Sequence, residues 1–109
     1  MRLHKVRITL NFKDATLEVD ALASTKEKPA LAVHKGVTKD GKTKRGCWTV
    51  THTQSGYSAL TWIPNEKAAR AALEFLEGLT DEWSKPPSEW KDARAVFEKI
   101  KAYKEEKGY

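Results

Sequence analysis

Apolar and polar residues alternate through Val6, Ile8, Leu10 and Phe12, and again through Leu17, Val19 and Ala21, the period of two that marks half-buried strands. Residues 3–12 and 15–23 therefore read as a β-hairpin turned by Lys13-Asp14. A two-residue loop there opposes Leu10 to Leu17, Ile8 to Val19 and Val6 to Ala21 on one face. The other face then sets Arg7 against Asp20 and Thr9 against Glu18, as on a solvated sheet surface. Residues 24–30 are polar, contain Pro29 and have no period, so they form a connection.

A second hairpin is expected around Asp40-Gly41, a two-residue pair suited to a turn with positive φ at both central positions. That register faces Val33 with Trp48 and Leu31 with Val50, opposes His34 to Cys47, and brings Gly36 within one position of Gly46, a glycine pair read as a flexible hinge. A Gln54-Ser55-Gly56 loop with Gly56 in the left-handed position makes a third hairpin. It pairs Trp48 with Trp62 and Val50 with Leu60 in the core. Cys47, Thr49, Thr51, Thr53, Ala59 and Thr61 are left on a flat polar face.

Beyond Pro64 the period changes to that of helices. Asn65 is a suitable N-cap for a helix over about residues 66–77, with Gly78 as its stop. Ala68, Ala69, Ala72, Leu73, Phe75, Leu76 and Leu79 make its apolar stripe. Residues 80–88 connect to a second helix capped by Ser88, spanning about 89–107 and ending at Gly108. Its stripe is Trp90, Ala93, Val96, Phe97, Ile100 and Tyr103. The fold class expected is α+β. An antiparallel sheet of about five strands, a β-hairpin then a three-strand meander, precedes two C-terminal helices.

The 109 residues suit one domain, with the sheet over 1–63, a packing helix over 65–78 and a C-terminal helix over 88–107. The second helix has a stripe of its own, and the threonine face offers it no apolar seat. It is thus expected either beside the first helix or on a second copy in a homodimer. Hydrophobic residues are 39% and charged residues 32% of the chain, which excludes a predominantly membrane-embedded protein. The charged residues of Met1–Arg7 are unlike the apolar core of a secretory signal. With the single Cys47 ruling out an intramolecular disulfide, a cytoplasmic location is the expectation. Asn and Gln are rare beside abundant Lys and Glu, a hyperthermophile trend.

Charge is unevenly placed. Residues 1–64 hold eleven Lys and Arg against five Asp and Glu, and residues 65–109 hold nine against ten, within a net charge of +5. The densest group is Lys35, Lys39, Lys42, Lys44 and Arg45 around the Asp40-Gly41 tip. Such a field attracts a polyanion, and lysines on an arm contact phosphate oxygens without reading sequence. Lys5 and Arg7 are candidate flanking contacts.

Other chemistry is poorly represented. His4, His34, Cys47 and His52 do not make a zinc set, because the register sends His52 to the opposite face from His34 and Cys47. A Cys47–His34 nucleophile pair lacks an orienting group and an oxyanion donor. The carboxylates are scattered, and there is no phosphate-binding glycine loop. No metal, cofactor or catalytic residue is assigned. Tyr57, Trp83, Trp90 and Tyr109 are candidates for exposed aromatics, but Trp48 and Trp62 fall in the core by period.

Residues 31–78 resemble three-strand-plus-helix DNA-binding modules of the integrase arm-binding type. The resemblance lies in Gly46-Cys47-Trp48-Thr49-Val50, the hairpin glycine Gly56, the aromatic Trp62 and the Ala-rich run Glu66-Lys67-Ala68-Ala69-Arg70-Ala71. It implies a sheet face laid against the major groove, although threonines stand where those modules carry arginines. The resulting expectation is a non-catalytic nucleic-acid-binding protein, DNA before RNA, acting through the basic hairpin and sheet surface. The alternative is a small protein-binding regulator or inhibitor of phage type acting on an acidic partner.

Overall fold

The computed structural model describes residues 2–109, the side chain of Arg45 excepted. Five strands, β1 (His4–Phe12), β2 (Ala15–Ala23), β3 (Leu31–Val37), β4 (Thr43–His52) and β5 (Ser58–Ile63), pair antiparallel in the order of the chain. Two helices follow, α1 (Glu66–Leu79) and α2 (Ala93–Lys107), with one 3-10 turn at Pro87–Glu89 between them. The chain is an α+β protein with its sheet first and its helices last.

The β1–β2 register is the one read from the sequence: Leu10 faces Leu17, Ile8 faces Val19, Val6 faces Ala21, Arg7 faces Asp20 and Thr9 faces Glu18. A tight turn and two alternations in phase leave that hairpin no other pairing. In β3–β4 the pairing differs by two residues, with Val33 opposite Val50, Leu31 opposite His52 and Lys35 opposite Trp48. A shift of two preserves which face each side chain occupies but changes its neighbours.

The sheet curls. The backbone N–H of Asn11, near the end of β1, donates to the carbonyl of Gly56 in the β4–β5 loop at 2.9 Å, and the Asn11 amide donates to the Ser55 carbonyl. The first strand thus returns to the last hairpin. Gly56 has φ 76°, and a Cβ there would lie 2.9 Å from the Asn11 nitrogen and the Thr9 carbonyl oxygen. Only glycine accommodates both the left-handed turn and that approach.

Curling creates two cores on opposite sides of one sheet. Inside the curl, Ile8, Leu10, Ala21, Ala23 and Ala32 cluster, with Phe12, Val19 and Val37 against them. On the outer side, Leu31, Val33, Val50, Leu60 and Ile63 pack beneath α1 residues Ala69, Ala72, Leu73 and Leu76. Asn65 caps α1 by accepting from the Ala68 N–H at 2.8 Å. The helix continues through Gly78 to Leu79, so Gly78 is not its stop. Gly78 has open space around it, and an interior helical glycine costs only about 1 kcal/mol relative to alanine.

The second helix starts later than its stripe suggests. Pro86-Pro87 leads into the 3-10 turn, Trp90 is extended, and Asp92, rather than Ser88, precedes α2. Trp90 and Trp83 are both buried, edge to face at 5.0 Å, and their indole N–H groups donate to the carbonyls of Lys85 and Leu76. Val96 and Ile100 of α2 join the same core, and Tyr103 stacks on Phe75 of α1 at 4.1 Å. The α2 stripe is therefore largely spent within the chain, which removes the reason for placing this helix on a second copy. Among the described residues no helix is long and apolar enough to cross a membrane.

Candidate functional site

The basic tip is built differently from a two-residue Asp40-Gly41 turn. The Thr38 carbonyl accepts from the Gly41 N–H and the Thr38 N–H donates to the Lys42 carbonyl, each at 2.9 Å. Gly41 is left-handed at φ 83° while Asp40 is not. The loop is thus Lys39-Asp40-Gly41, a turn closed by a single left-handed glycine. Below it, Val37 pairs with Thr43 and Lys35 with Trp48, so the four residues Lys44–Cys47 stand opposite Gly36 alone. Such a bulge bends the strand and re-aims its side chains.

Gly36 and Gly46 consequently do not face one another as a hinge. Gly36 is buried, and a Cβ on it would lie 2.7 Å from the Cys47 sulfur. Gly46 takes φ 67° in the bulge with open space around it. The one residue permits a sulfur to pass close to the backbone, and the other permits the bulge to turn.

A second bulge exposes an aromatic ring. Val50 pairs with Leu60 as expected, but Trp48 pairs with Ile63, leaving Thr49 opposite both Thr61 and Trp62. Ile63 takes the buried place under α1, and Trp62 is turned outward, 62% exposed, with φ 62°. A non-glycine residue in the left-handed region costs about 1–2 kcal/mol, and such strain concentrates at functional positions. The Lys44 ammonium lies 5.2 Å from the Trp62 ring centroid, within cation–π range. Two large apolar residues in succession, Trp62-Ile63, were the available sequence signal, since both cannot point inward from an unbroken strand.

The other candidate cations occupy distinct settings. Lys35, Lys42 and Lys44 are exposed. Lys39 reaches the Asp14 carboxylate at 3.1 Å and links the tip to the β1–β2 turn. Arg7 lies between Asp20 at 3.0 Å and Glu18 at 3.7 Å, its charge balanced locally. The Arg45 side chain lies outside the described residues. Lys5, Arg7, Asp20, Lys35 and Trp48 line a groove of about 500 Å³. An adjoining recess of about 340 Å³ shares Lys35, Thr43 and Trp48 and adds Lys44 and Gly46. Together they make a continuous track from β1, past half-buried Trp48, to Lys44 beside Trp62.

The threonine face is enclosed rather than flat and exposed. Thr49, Thr51 and Cys47 are buried inside the curl with His34, because the apolar side of the β1–β2 hairpin covers that same face. His34 faces Thr49, not Cys47. Its Nδ1 lies 2.7 Å from the Lys35 carbonyl and its Nε2 lies 2.7 Å from the Thr51 hydroxyl. A carbonyl only accepts, so Nδ1–H donates to it and the Thr51 hydroxyl donates to Nε2. The Thr49 and Thr61 hydroxyls are 3.1 Å apart. These groups line a cavity of about 230 Å³ whose wall also includes Leu10 and Lys44. The face that the integrase-type resemblance would lay in a major groove is thus unavailable to one.

Burial holds the His34 pKa below its ordinary value, with the Lys35 hydrogen bond opposing the shift. The fold therefore favours neutral imidazole. That contribution to stability is complete above about pH 6.5 and is lost as pH falls through the lowered folded-state pKa. Thermal unfolding followed from pH 7.5 to 4.5 should show a falling midpoint through this range, with the fall reduced in His34→Gln. An identical profile in the variant would assign the acid sensitivity elsewhere.

On the outer face His52 is buried, its Nε2 donating to the Trp83 carbonyl and its Nδ1 2.9 Å from the Ser55 hydroxyl. It is on the opposite side of the sheet from His34. Among the described residues no group of three or more His, Cys, Asp and Glu side chains gathers as a metal site. Comparisons with protein-family models, curated proteins and solved structures gave no match to the chain.

Proposed function

We propose that the protein binds single-stranded nucleic acid without catalysis, DNA before RNA, with Trp62 as a base-stacking platform and Lys35, Lys42 and Lys44 as phosphate contacts. The observation that carries this reading is the exposed Trp62 ring, held in a left-handed backbone conformation beside the Lys44 ammonium. An aromatic ring next to cations suits a strand whose bases stack and whose phosphates are neutralised. Lys5 extends the cationic track along the groove. Lys39 and Arg7 contribute less, since exposed ion pairs already occupy them. Intracellular nucleic acid as the partner agrees with the cytoplasmic expectation.

Replacing Lys35, Lys42 and Lys44 together by alanine tests the electrostatic half of the proposal. Each phosphate contact on a single strand contributes about 0.7 to the slope of log affinity against log salt, so the triple variant should lose about 2 from that slope. Fluorescence anisotropy with oligothymidylate over a series of salt concentrations measures it. An unchanged slope would remove these lysines from the interface. Salt-insensitive capture of an acidic protein, with no affinity for DNA or RNA, would instead favour a protein-binding regulator.

A further inference from the structure

The inside of a curled sheet is ordinarily filled by apolar side chains that interdigitate. Here part of it is polar and incompletely filled. His34, Thr49 and Thr51 are 5%, 6% and 1% exposed, and with Thr61 they border the cavity of about 230 Å³. Valine has nearly the shape of threonine and carries no hydroxyl to desolvate, so stability alone does not account for threonines in these places. The His34 and Thr51 groups satisfy one another and the Lys35 carbonyl. The Thr49–Thr61 pair is different. One hydroxyl donates to the other at 3.1 Å, and the Thr61 hydroxyl also lies 4.0 Å from the Cys47 sulfur, a weak partner that leaves hydrogen-bonding capacity on the pair for a guest.

We infer that this cavity receives one nucleobase of the bound strand and favours a pyrimidine. The inference rests on the single-strand reading above and extends it from the surface to the interior of the curl. Lys44 connects the two, since it lines the cavity and lies over Trp62. A phosphate at Lys44 thus has one neighbouring base against Trp62 and the other at the cavity mouth. Size favours the smaller bases. A cavity of about 150 Å³ takes up benzene, so one of about 230 Å³ has room for a single ring with its exocyclic groups and less room for two fused rings. Chemistry agrees, because adjoining hydroxyls present a donor and acceptors to the edge of a pyrimidine, while Leu10 and Phe12 supply apolar wall for its faces.

The test uses the whole protein and fluorescein-labelled oligothymidylate and oligoadenylate of equal length, with anisotropy read for wild type and for the Thr49→Val/Thr61→Val double variant. Both substitutions are nearly isosteric, and a thermal melt shows whether the variant retains the fold. If it does not, the single variant Thr61→Val, at the partly exposed position, replaces it. Wild type should prefer oligothymidylate by about tenfold, a ratio expected when a pocket hydrogen-bonds its guest. The folded variant should bring that preference to within about twofold while its affinity for oligoadenylate is unchanged. Equal wild-type affinities, or a preference that survives loss of the hydroxyls, would overturn the pocket while leaving Trp62 and the lysines in place. Absence of binding to either oligonucleotide would overturn both readings.

Discussion

Alanine at position 56 is expected to destabilise the fold by about 2–5 kcal/mol, from two separable causes. The left-handed backbone at φ 76° costs any residue with a Cβ about 1–2 kcal/mol. The new methyl would also stand 2.9 Å from the Asn11 nitrogen and the Thr9 carbonyl oxygen. These are backbone atoms of β1 with no rotamer to yield, and overpacking of this kind costs about 1–3 kcal/mol. Relief by drawing β1 away would break the Asn11–Gly56 hydrogen bond and open the inner core over Ile8 and Leu10. Gly46→Ala is the internal comparison, because Gly46 is also left-handed but has nothing within 4 Å of its Cβ position. Urea unfolding should place Gly46→Ala within about 1–2 kcal/mol of wild type and Gly56→Ala well below it. Equal losses in the two variants would mean that the curl does not depend on this approach.

Trp62→Ala is expected to weaken binding of a single strand by about 1–3 kcal/mol, the usual worth of a base stacked on an aromatic ring, or about 5- to 150-fold in affinity. The salt slope should be unchanged, since the ring carries no charge. Stability should follow a different course. Trp62 is largely exposed, so its removal surrenders little burial, and Trp62→Gly releases the left-handed strain. Release of about 1–2 kcal/mol against a glycine penalty of about 0.5–1 kcal/mol leaves Trp62→Gly as stable as wild type or up to about 1.5 kcal/mol more stable. Anisotropy and urea unfolding on the same samples separate the two effects. A Trp62→Gly protein that binds as wild type does would show that the strained tryptophan has no part in recognition.

The parts of this architecture that were legible in the sequence are those determined by neighbours along the chain. The β1–β2 register followed from a two-residue turn between two alternations in phase, and α1 from Asn65 preceding a wide apolar stripe. The curl was not legible, because period-two alternation assigns a residue to a face without saying which face becomes an interior. Thr49 and Thr51 were assigned to solvent for being polar. They are buried because Ile8, Leu10 and Ala21 lie on the same side of the sheet and fold over them. A hint was present, since the helices can cover only one face, and the β1–β2 hairpin brought apolar residues to the other.

At the candidate site the lysines were legible as a cluster, but the tryptophan was not. Its exposure depends on one extra residue in β5, and the Thr61-Trp62 bulge breaks the alternation that had sent Trp62 inward. Arg7 was legible as a cation but not as one already held by Asp20 and Glu18, although its pairing with Asp20 followed from the register. The start of α2 was lost to Pro86-Pro87, which places a 3-10 turn where the capping pattern at Ser88 suggested a helix.

Stacking of a base on Trp62 is read out most simply by tryptophan emission during titration with oligothymidylate. Trp83 and Trp90 are buried and Trp48 is half-buried, so the exposed Trp62 ring is the emitter that a stacked base quenches most. Saturable quenching is expected in the wild type and should be largely abolished in Trp62→Ala, together with weaker binding by anisotropy. The same quenching and the same affinity in Trp62→Ala would contradict stacking on Trp62.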